Sequence, residues 1–396
     1  MTDPQYSLIA SKIMMDTTGS LQLTSTTAVL SDGSLFMATD EVSILRCQRL
    51  TTALDIIGTA DVVDDFYSYH AIALPGQKVL LVGTRGTDHH LSRVVDCSGE
   101  VPVIGDAKTF AYSTDIPSWF QFSNYNYSPV HYRHPSSGFT VVGVSTYMMV
   151  WDDDGNLKWQ GIPFNDNVVC AGVWPDPSDA TKGVFAYAGY IAGVVFGYVG
   201  YALADDGSAT FTSLVQFPAS GDPGADTPAA LIASPYLDGP ALLGSDFNYV
   251  AGRYLDHLLD KTGAVIQTID TTPYSQLVSY AGAGLGGGRM VGAVDMESDL
   301  GGYQVWLAGL GFSTGQPSTL EYLQLPILAP NPTDLDAMWT PFISADGMTG
   351  LVFVSMVASS DTDGHSRLLC WVIQGPVNMP NLSGQLLDNR VRFTGV

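Results

Sequence analysis

The stretch Gly138–Trp159, GFTVVGVSTYMMVWDDDGNLKW, contains the clearest copy of a unit that recurs along this chain. Residues 139–144 and 147–151 are runs of apolar, β-branched and aromatic side chains, and such runs predict two β-strands. The acidic sequence at 152–155 ends in glycine and is typical of a tight turn, because Asp accepts backbone N–H bonds and Gly adopts positive φ. A third strand is predicted from Leu157. We therefore expect three consecutive antiparallel strands here.

Related units precede and follow this stretch. In each one, a turn rich in Gly, Pro or Asp comes before an apolar run, and a second turn with Gly comes after the next run. Each unit therefore predicts the order strand, turn, strand, loop, strand, turn, strand. The apolar runs begin near residues 35, 79, 139, 184, 241, 290 and 351, about 53 residues apart on average. The second turn is clearest at residues 96–99, 152–155, 205–207, 260–263 and 313–315.

This strand order and period resemble those of β-propeller repeat proteins in general, over roughly residues 20–375. The resemblance implies an all-β fold, a single seven-bladed β-propeller of antiparallel four-stranded blades; six or eight blades also fit the period. We expect residues 1–19 to be an N-terminal segment and residues 376–396 a C-terminal segment. The runs at 20–29 and 385–393 are candidate closing strands that complete one shared blade. Neither a recurring Trp-Asp dipeptide nor kelch-type glycine pairs occur, so no named propeller family is indicated.

The chain is strongly acidic. Its 396 residues include 39 acidic and 16 basic side chains, which gives a formal net charge of −23. A protein that binds nucleic acid uses Lys and Arg to displace the counterions of the phosphates, and adhesion to anionic lipid uses the same residues. We therefore expect neither nucleic-acid binding nor membrane adhesion.

An uncharged run at Gly183–Leu203 has the length of a membrane span. It is rich in Val, Tyr and Phe, which favour strands, and in Gly, which weakens helices. The run also falls where the repeat requires two strands. We therefore predict two buried strands here and no membrane span.

The cysteines are far apart in the sequence and form no C-x-x-C pair. They are Cys47, Cys97, Cys170 and Cys370. This spacing favours buried thiols that pack as small apolar side chains over disulfides or a metal site.

Two short motifs match enzyme fingerprints in their letters alone. Residues 282–287, GAGLGG, match the dinucleotide-binding motif, which needs a helix after it, but residues 289–295 predict a strand. Residues 311–315, GFSTG, match the nucleophile elbow of hydrolases, which needs a strand-to-helix turn, but they occupy a predicted hairpin turn. We therefore expect neither activity, and we assign no catalytic residue.

A long insert at residues 108–134 separates the second and third units and is rich in aromatic side chains. Aromatic faces beside Asn, Gln and Ser suit sugar rings and protein interfaces. The alternative is that the rings pack over the neighbouring blades as a local core. The candidate binding residues are Trp119, Phe120, Phe122, Tyr125, Tyr127 and Tyr132.

Two acidic turns carry the clustered carboxylates that Ca²⁺ uses as ligands. The alternative is ordinary turn chemistry, because neither turn has the spaced ligands and distal Glu of an EF-hand loop. No other cofactor is indicated. The candidate calcium ligands are Asp152, Asp154, Asp361 and Asp363.

Histidine occurs as two local pairs, His89 with His90 and His131 with His134. Histidines from several blades of a propeller can converge on its axis to bind a metal or to act as acid and base. No spacing in this sequence dictates such convergence, so we favour packing or surface roles for these side chains.

The composition as a whole, acidic, poor in cysteine and rich in Gly, Ser and Thr, resembles that of virion components such as phage tail proteins. The resemblance implies a non-catalytic structural or recognition protein in a larger assembly. Its expected partners are other protein subunits, with a glycan as a further candidate. The N-terminus lacks the pattern of a secretory signal, so we expect synthesis in a host cytoplasm and a place in the virion, or else a cytoplasmic location. The alternative function is a glycoside hydrolase or lyase with carboxylates on the propeller axis.

Overall fold

The computed structural model of the chain describes most of the residues between 6 and 375. The described ranges are 6–18, 24–41, 43–63, 68–85, 89–111, 130–134, 137–144, 147–161, 168–176, 179–190, 194–217, 231–237, 239–248, 253–259, 265–270, 277–286, 289–297, 303–313, 316–326, 337–338, 342–346, 349–360 and 364–375. Every regular element within these ranges is a β-strand.

Within the described residues, antiparallel strands form seven sheets, which we number I to VII along the chain. The first strand, β1 (Ser7–Thr18), belongs to sheet VII. Sheet I contains β2 (Thr24–Val29), β3 (Leu35–Glu41), β4 (Ile44–Leu50) and β5 (Ile56–Val63). Sheet II contains β6 (Ser68–Leu74), β7 (Lys78–Arg85), β8 (His89–Asp96), β9 (Val103–Ile104) and β10 (Lys108–Ala111). Sheet III contains β11 (Val130–Arg133), β12 (Thr140–Val144), β13 (Tyr147–Trp151) and β14 (Leu157–Gly161).

The remaining sheets follow the same plan. Sheet IV contains β15 (Val168–Asp176), β16 (Asp179–Tyr190), β17 (Val194–Leu203) and β18 (Ala209–Phe217). Sheet V contains β19 (Leu231–Leu237), β20 (Gly239–Asn248), β21 (Arg253–Leu259) and β22 (Val265–Asp270). Sheet VI contains β23 (Leu277–Gly286), β24 (Arg289–Glu297), β25 (Tyr303–Ser313) and β26 (Gln316–Leu325). Sheet VII contains β27 (Ala337–Met338), β28 (Phe342–Asp346), β29 (Leu351–Ser360), β30 (His365–Gln374) and β1.

Each sheet has four strand positions, which follow the sequence order in sheets I to VI, while β1 takes the fourth position of sheet VII. The two sheets with five strands fit this plan, because β9 and β10 pair with different parts of β8, and β27 and β28 pair with different parts of β29. The predicted all-β fold with antiparallel four-stranded sheets is therefore confirmed. The apolar runs that define the repeat form the second strand of every sheet, and the hairpin predicted at 138–159 forms β12, β13 and β14.

The two strands predicted at Gly183–Leu203 are confirmed as β16 and β17, which pair along their length. No helix in the described part of the chain is long and apolar enough to cross a membrane. The strand predicted after the first motif is confirmed as β24, but the glycines at 282–284 lie inside β23 rather than in a turn. Residues 311–313 of the second motif end β25, which pairs with β26 as a hairpin.

Three of the cysteines, Cys47, Cys97 and Cys370, are buried thiols without a disulfide. Burial raises the pKa of Cys97 to about 12. The prediction that they pack as apolar side chains is confirmed for these three; the side chain of Cys170 lies outside the described residues.

The second strands of sheets I and II have buried side chains on both faces, which explains their continuous apolar runs in the sequence. Alternate side chains of a strand point to opposite faces. On β3, Leu35 and Met37 pack against sheet VII, while Phe36 and Ala38 pack against sheet II. On β7, Val79 and Leu81 face sheet I, and Leu80 and Val82 face sheet III. Sheets packed face to face need such two-sided strands.

Each sheet contacts its neighbour in the sequence, and the last sheet contacts the first. Apolar clusters join sheets I and II, II and III, III and IV, and VII and I. The first strands of the sheets contact one another from IV to VII and again from VII to II, through β15, β19, β23, β28, β2 and β6. We call these first strands the inner strands and the fourth strands, such as β5 and β1, the outer strands.

Sheet VII is completed by the N-terminus. Strand β1 pairs with β30 from Ser7 opposite Gln374 to Thr18 opposite His365. From the sequence, residues 1–19 were expected to lie apart from the repeat, and the run at 20–29 was the candidate closing strand. In the structure, β1 within residues 1–19 is the closing strand of sheet VII, and Thr24–Val29 is instead the inner strand of sheet I. The C-terminal candidate at 385–393 lies outside the described residues.

The packing of sheet VII on sheet I can be tested by truncating a buried ring. Phe353 is fully buried in the cluster that joins these sheets, so Phe353→Ala should lower the free energy of unfolding by about 3 to 5 kcal/mol. Val63→Ala is the control, because this side chain is 82% exposed on β5 and its loss should change stability by no more than about 0.5 kcal/mol. Urea unfolding followed by circular dichroism measures both. Equal effects of the two substitutions would contradict the packing.

Candidate interaction surface

Buried hydroxyl groups on the inner strands and on β29 join sheet I to both of its neighbours. The Oγ atoms of Ser25 and Ser355 are 3.1 Å apart, and Ser344 Oγ accepts a hydrogen bond from the backbone N–H of Val29 at 2.9 Å. On the other side, Thr26 Oγ1 accepts a hydrogen bond from the N–H of Ala71 at 2.8 Å. Buried polar groups of this kind are costly unless they are paired, so these hydroxyls fix the positions of the inner strands.

A buried histidine, His70, lies on the inner strand of sheet II. His70 on β6 is 2% exposed, and its ring centroid lies 5.8 Å from that of Phe342 on β28. Burial lowers the pKa of His70 to about 3, and the nearby His131 on β11 acts in the same direction. His70 is therefore a neutral imidazole at physiological pH.

The histidines of the two local pairs lie on different sheets. His131 lies on β11, and its charge acts on the buried His70 of sheet II. His134 is buried, and its backbone N–H and C=O bond to Phe139 and Gly138, so it forms part of a turn. Burial lowers the pKa of His134 as well. His89 and His90 lie on β8, and their side chains lie outside the described residues.

The recurrent acidic turns share one hydrogen-bonding pattern. In each, an Asp side chain accepts a hydrogen bond from the backbone N–H two residues later, at 2.8 to 3.0 Å for Asp32, Asp96, Asp152 and Asp206. The hydrogen bonds from Ser208 lower the pKa of Asp206. Glycine completes three of these turns with positive φ, 83° at Gly33, 74° at Gly155 and 90° at Gly207. The acidic residues therefore have a role in backbone geometry in these four turns.

The predicted calcium ligands are only partly within the described residues. Both carboxylate oxygens of Asp152 accept hydrogen bonds within the turn, from the backbone of Asp154 and from Asn156. Asp154 is exposed, and its carbonyl oxygen accepts a hydrogen bond from Lys108. Among the described side chains, no group of three His, Cys, Asp or Glu residues could hold a metal ion. Asp361 and Asp363 lie outside the described residues, and the calcium sites stay a prediction.

Most of the aromatic insert also lies outside the described residues. This applies to Trp119, Phe120, Phe122, Tyr125 and Tyr127. Tyr132 lies on β11 opposite Val141 of β12, and its side chain lies outside the described residues. Binding by these six aromatic residues stays a prediction.

The large apolar side chains exposed on the described surface lie mainly on outer strands. Six of them form what we call the apolar edge patch: Leu8 (39% exposed), Ile9 (44%), Ile56 (54%), Ile57 (37%), Val101 (54%) and Val103 (67%). They come from β1, from the start of β5, and from β9 with the residues just before it. These segments belong to sheets VII, I and II, which are neighbours in space.

Strand register places the six side chains at the same end of their sheets. The patch segments begin beside the last residue of the third strand: Ser7 beside Gln374, Ile56 beside Leu50, and Val103 beside Asp96. Because the three sheets have the same strand order, these positions are equivalent.

Direct contacts join the three parts of the apolar edge patch. Lys12 on β1 donates a hydrogen bond to the carbonyl oxygen of Leu54 at 3.2 Å and pairs with Asp55 at 3.5 Å. The backbone at Glu100 and Val101 lies so close to Gly58 that a Cβ there would be 2.3 Å from the Glu100 oxygen. Only glycine allows this approach, so the edges of sheets VII, I and II are held together.

Comparisons with known proteins were made for the whole chain. No protein-family model and no curated protein matches it. Among solved structures, it is similar to extracellular domains 1–2 of Drosophila semaphorin 1a, with 8% identity, a TM-score of 0.45 and coverage of 90% of this chain and 88% of that one. It is also similar to the Dos1 propeller, with 9% identity, a TM-score of 0.45 and coverage of 91% and 95%.

A protein of unknown function from Bacteroides caccae is similar over 73% of this chain and 91% of that one, with 10% identity and a TM-score of 0.38. These are similarities of fold alone. The architecture described above rests on the strand pairing of this chain.

The burial of His70 predicts a pH dependence of stability. The pKa of His70 is lowered from about 6.5 to about 3 in the folded protein, so the unfolded chain binds the extra proton between these values. The contribution of His70 to the free energy of unfolding is therefore complete above about pH 6.5 and is lost as the pH falls towards 3. The expected loss at pH 5 is about 2 kcal/mol.

The substitution His70→Gln should remove this contribution. Between pH 7 and pH 5, its free energy of unfolding, from urea titrations, should fall less than that of the unchanged protein. Thr26→Ser, which keeps the hydroxyl acceptor on the neighbouring inner strand and does not titrate, is the control. Parallel pH profiles for His70→Gln and the unchanged protein would show that His70 titrates normally.

Proposed function

We propose that the seven sheets are the blades of a single closed β-propeller that acts as a non-catalytic structural or recognition component of a larger assembly. Support for the ring comes from the contacts between successive sheets, from the contact of sheet VII with sheet I, and from the closing strand β1. Such a ring buries the sheet faces and leaves the outer strands as its circumference.

The apolar edge patch is the observation that carries the proposed function. Single exposed apolar side chains are normal on soluble proteins, whereas a group of them on adjoining surfaces marks an interaction site. Here six such side chains lie at one end of three neighbouring outer edges. Their positions on a sheet framework, rather than on long loops, present a preformed surface to a protein partner.

Composition is the basis on which we propose the kind of assembly. We propose a virus particle, with a tail protein as the role, because the chain is acidic, poor in cysteine and composed of many short strands. The aromatic residues Trp119, Phe120, Phe122, Tyr125, Tyr127 and Tyr132 are proposed as a second contact, to a protein subunit or a glycan. Ca²⁺ at the acidic turns is proposed only as a structural ion.

Cross-linking of native complexes tests this function. Particles and complexes containing this chain are isolated at near-physiological salt, treated with a lysine-reactive cross-linker and analysed by mass spectrometry. Lys12, which is 48% exposed in its side chain beside the apolar edge patch, should cross-link to another protein. Lys182, which is 49% exposed on sheet IV, is the matched control and should react without linking to that protein.

Two results would contradict the proposal. One is that the chain sediments only as a free monomer of 42.2 kDa. The other is that the purified monomer releases reducing ends from a polysaccharide, which would instead support the carbohydrate-active enzyme.

A further inference from the structure

The apolar edge patch is bordered by exposed carboxylates. Asp55 directly precedes Ile56 and is 71% exposed in its side chain, and Glu100 directly precedes Val101. Asp106 follows β9 and is also exposed. In the described part of the chain, Glu100 and Asp106 take part in no ion pair. Of the lysines at this end of the sheets, Lys12 is paired with Asp55, and Lys78 lies opposite Asp96.

From this combination we infer that the apolar edge patch binds an extended segment of a basic protein, in which apolar side chains alternate with Lys or Arg. This inference rests on the proposed function, because it names the partner of the same surface. The apolar side chains of the segment cover Ile56, Ile57 and Val103, and its cations lie beside Glu100 and Asp106.

The charge of the chain favours a basic segment over a second copy of the chain, nucleic acid or anionic lipid as the occupant of the patch. A second copy of the chain would bring another net charge of −23 to the interface, and its own carboxylates would face those of the first. Nucleic acid and anionic lipid would be repelled for the same reason. A basic segment gains from both the local carboxylates and the field of the whole protein, and it neutralises Glu100 and Asp106, which form no ion pair with any described residue.

We expect the bound segment to be extended because most of the patch residues lie on β-strands. Ile56, Ile57 and Val103 lie on β5 and β9, whose outer sides carry no further strand among the described residues. A segment with alternating side chains lays its apolar face on such a surface. The long Lys or Arg side chains of its other face extend to the carboxylates at the border of the patch.

A set of synthetic peptides tests this inference. Three fluorescent peptides of about eight residues, long enough to follow β5, carry alternating valine and lysine, alternating valine and serine, or alternating serine and lysine. Their binding to the full chain is measured by fluorescence anisotropy at about 0.05 M and about 0.5 M NaCl, which spans strong and weak screening. The valine–lysine peptide should bind at least about tenfold more tightly than either other peptide, and salt should weaken it most.

Variants of the chain locate the binding. Ile56→Ser with Ile57→Ser should abolish the preference for the valine–lysine peptide. Glu100→Gln with Asp106→Asn should weaken that peptide about threefold to tenfold and leave the valine–serine peptide unchanged. The matched controls are Val63→Ser, at the other end of β5, and Asp205→Asn, on an exposed turn of sheet IV; both should bind as the unchanged protein does.

The outcomes separate this inference from the proposed function. Equal binding of the valine–lysine and valine–serine peptides, lost in the isoleucine variant, would contradict a basic partner and keep the patch as an interface. Equal binding of the two lysine peptides, unaffected by the isoleucine variant, would show unspecific attraction to an acidic protein and overturn the inference. Absence of binding by all three at about millimolar concentration would overturn it as well.

Discussion

The packing of sheet VII against sheet I is the interaction on which the other features depend. It brings together residues 330 positions apart, Ser25 and Ser355, and buries Phe353 and Met37 in a shared apolar cluster. The entropy lost in joining the chain ends grows only with the logarithm of the loop length, so a buried cluster of this size offsets it. The paired hydroxyls then fix the inner strands in register with their neighbours.

This contact also determines which surfaces remain for function. Where neighbouring sheets cover both faces of a sheet, its outer strand is the part that still faces solvent. Strand β30 has eight consecutive buried residues, whereas none of the residues of β1, which covers its edge, is fully buried. The apolar edge patch lies on this less buried layer, and Gly58 allows the edges of sheets I and II to approach.

Local features of the fold were predictable from the sequence, and contacts between distant segments were not. The hairpin at 138–159 was predicted almost to the residue, because Asp152 and Gly155 specify a turn by short-range chemistry. The period of the apolar runs likewise located the second strand of each sheet. By contrast, β1 has mixed polar and apolar residues, and its place beside β30 depends on a partner more than 340 positions away, as the pair Asp16 and His365 shows.

The candidate site was missed for the same reason. Ile56 and Ile57 are adjacent apolar residues on an outer strand, and the sequence alone gives no sign that both are exposed. Their grouping with Leu8 and Val101 arises only when three sheets stand side by side. The electrostatic effect of His131 on His70 likewise links two sheets, whereas the sequence offered only pairs of histidines that are close along the chain. The six aromatic residues of the insert remain a prediction from composition.

A disulfide between the first and last sheets tests ring closure most directly. The Oγ atoms of Ser25 and Ser355 are 3.1 Å apart, so Cys side chains at both positions would bring their sulfur atoms to within about 1 Å of the S–S bond length of about 2.05 Å. Ser25→Cys with Ser355→Cys, folded and mildly oxidised, should therefore yield the linked peptides in mass spectrometry almost completely. Ser25→Cys with Ser208→Cys, whose second site lies on sheet IV, should keep free thiols. Free thiols at positions 25 and 355 after oxidation of the folded protein would contradict a closed ring.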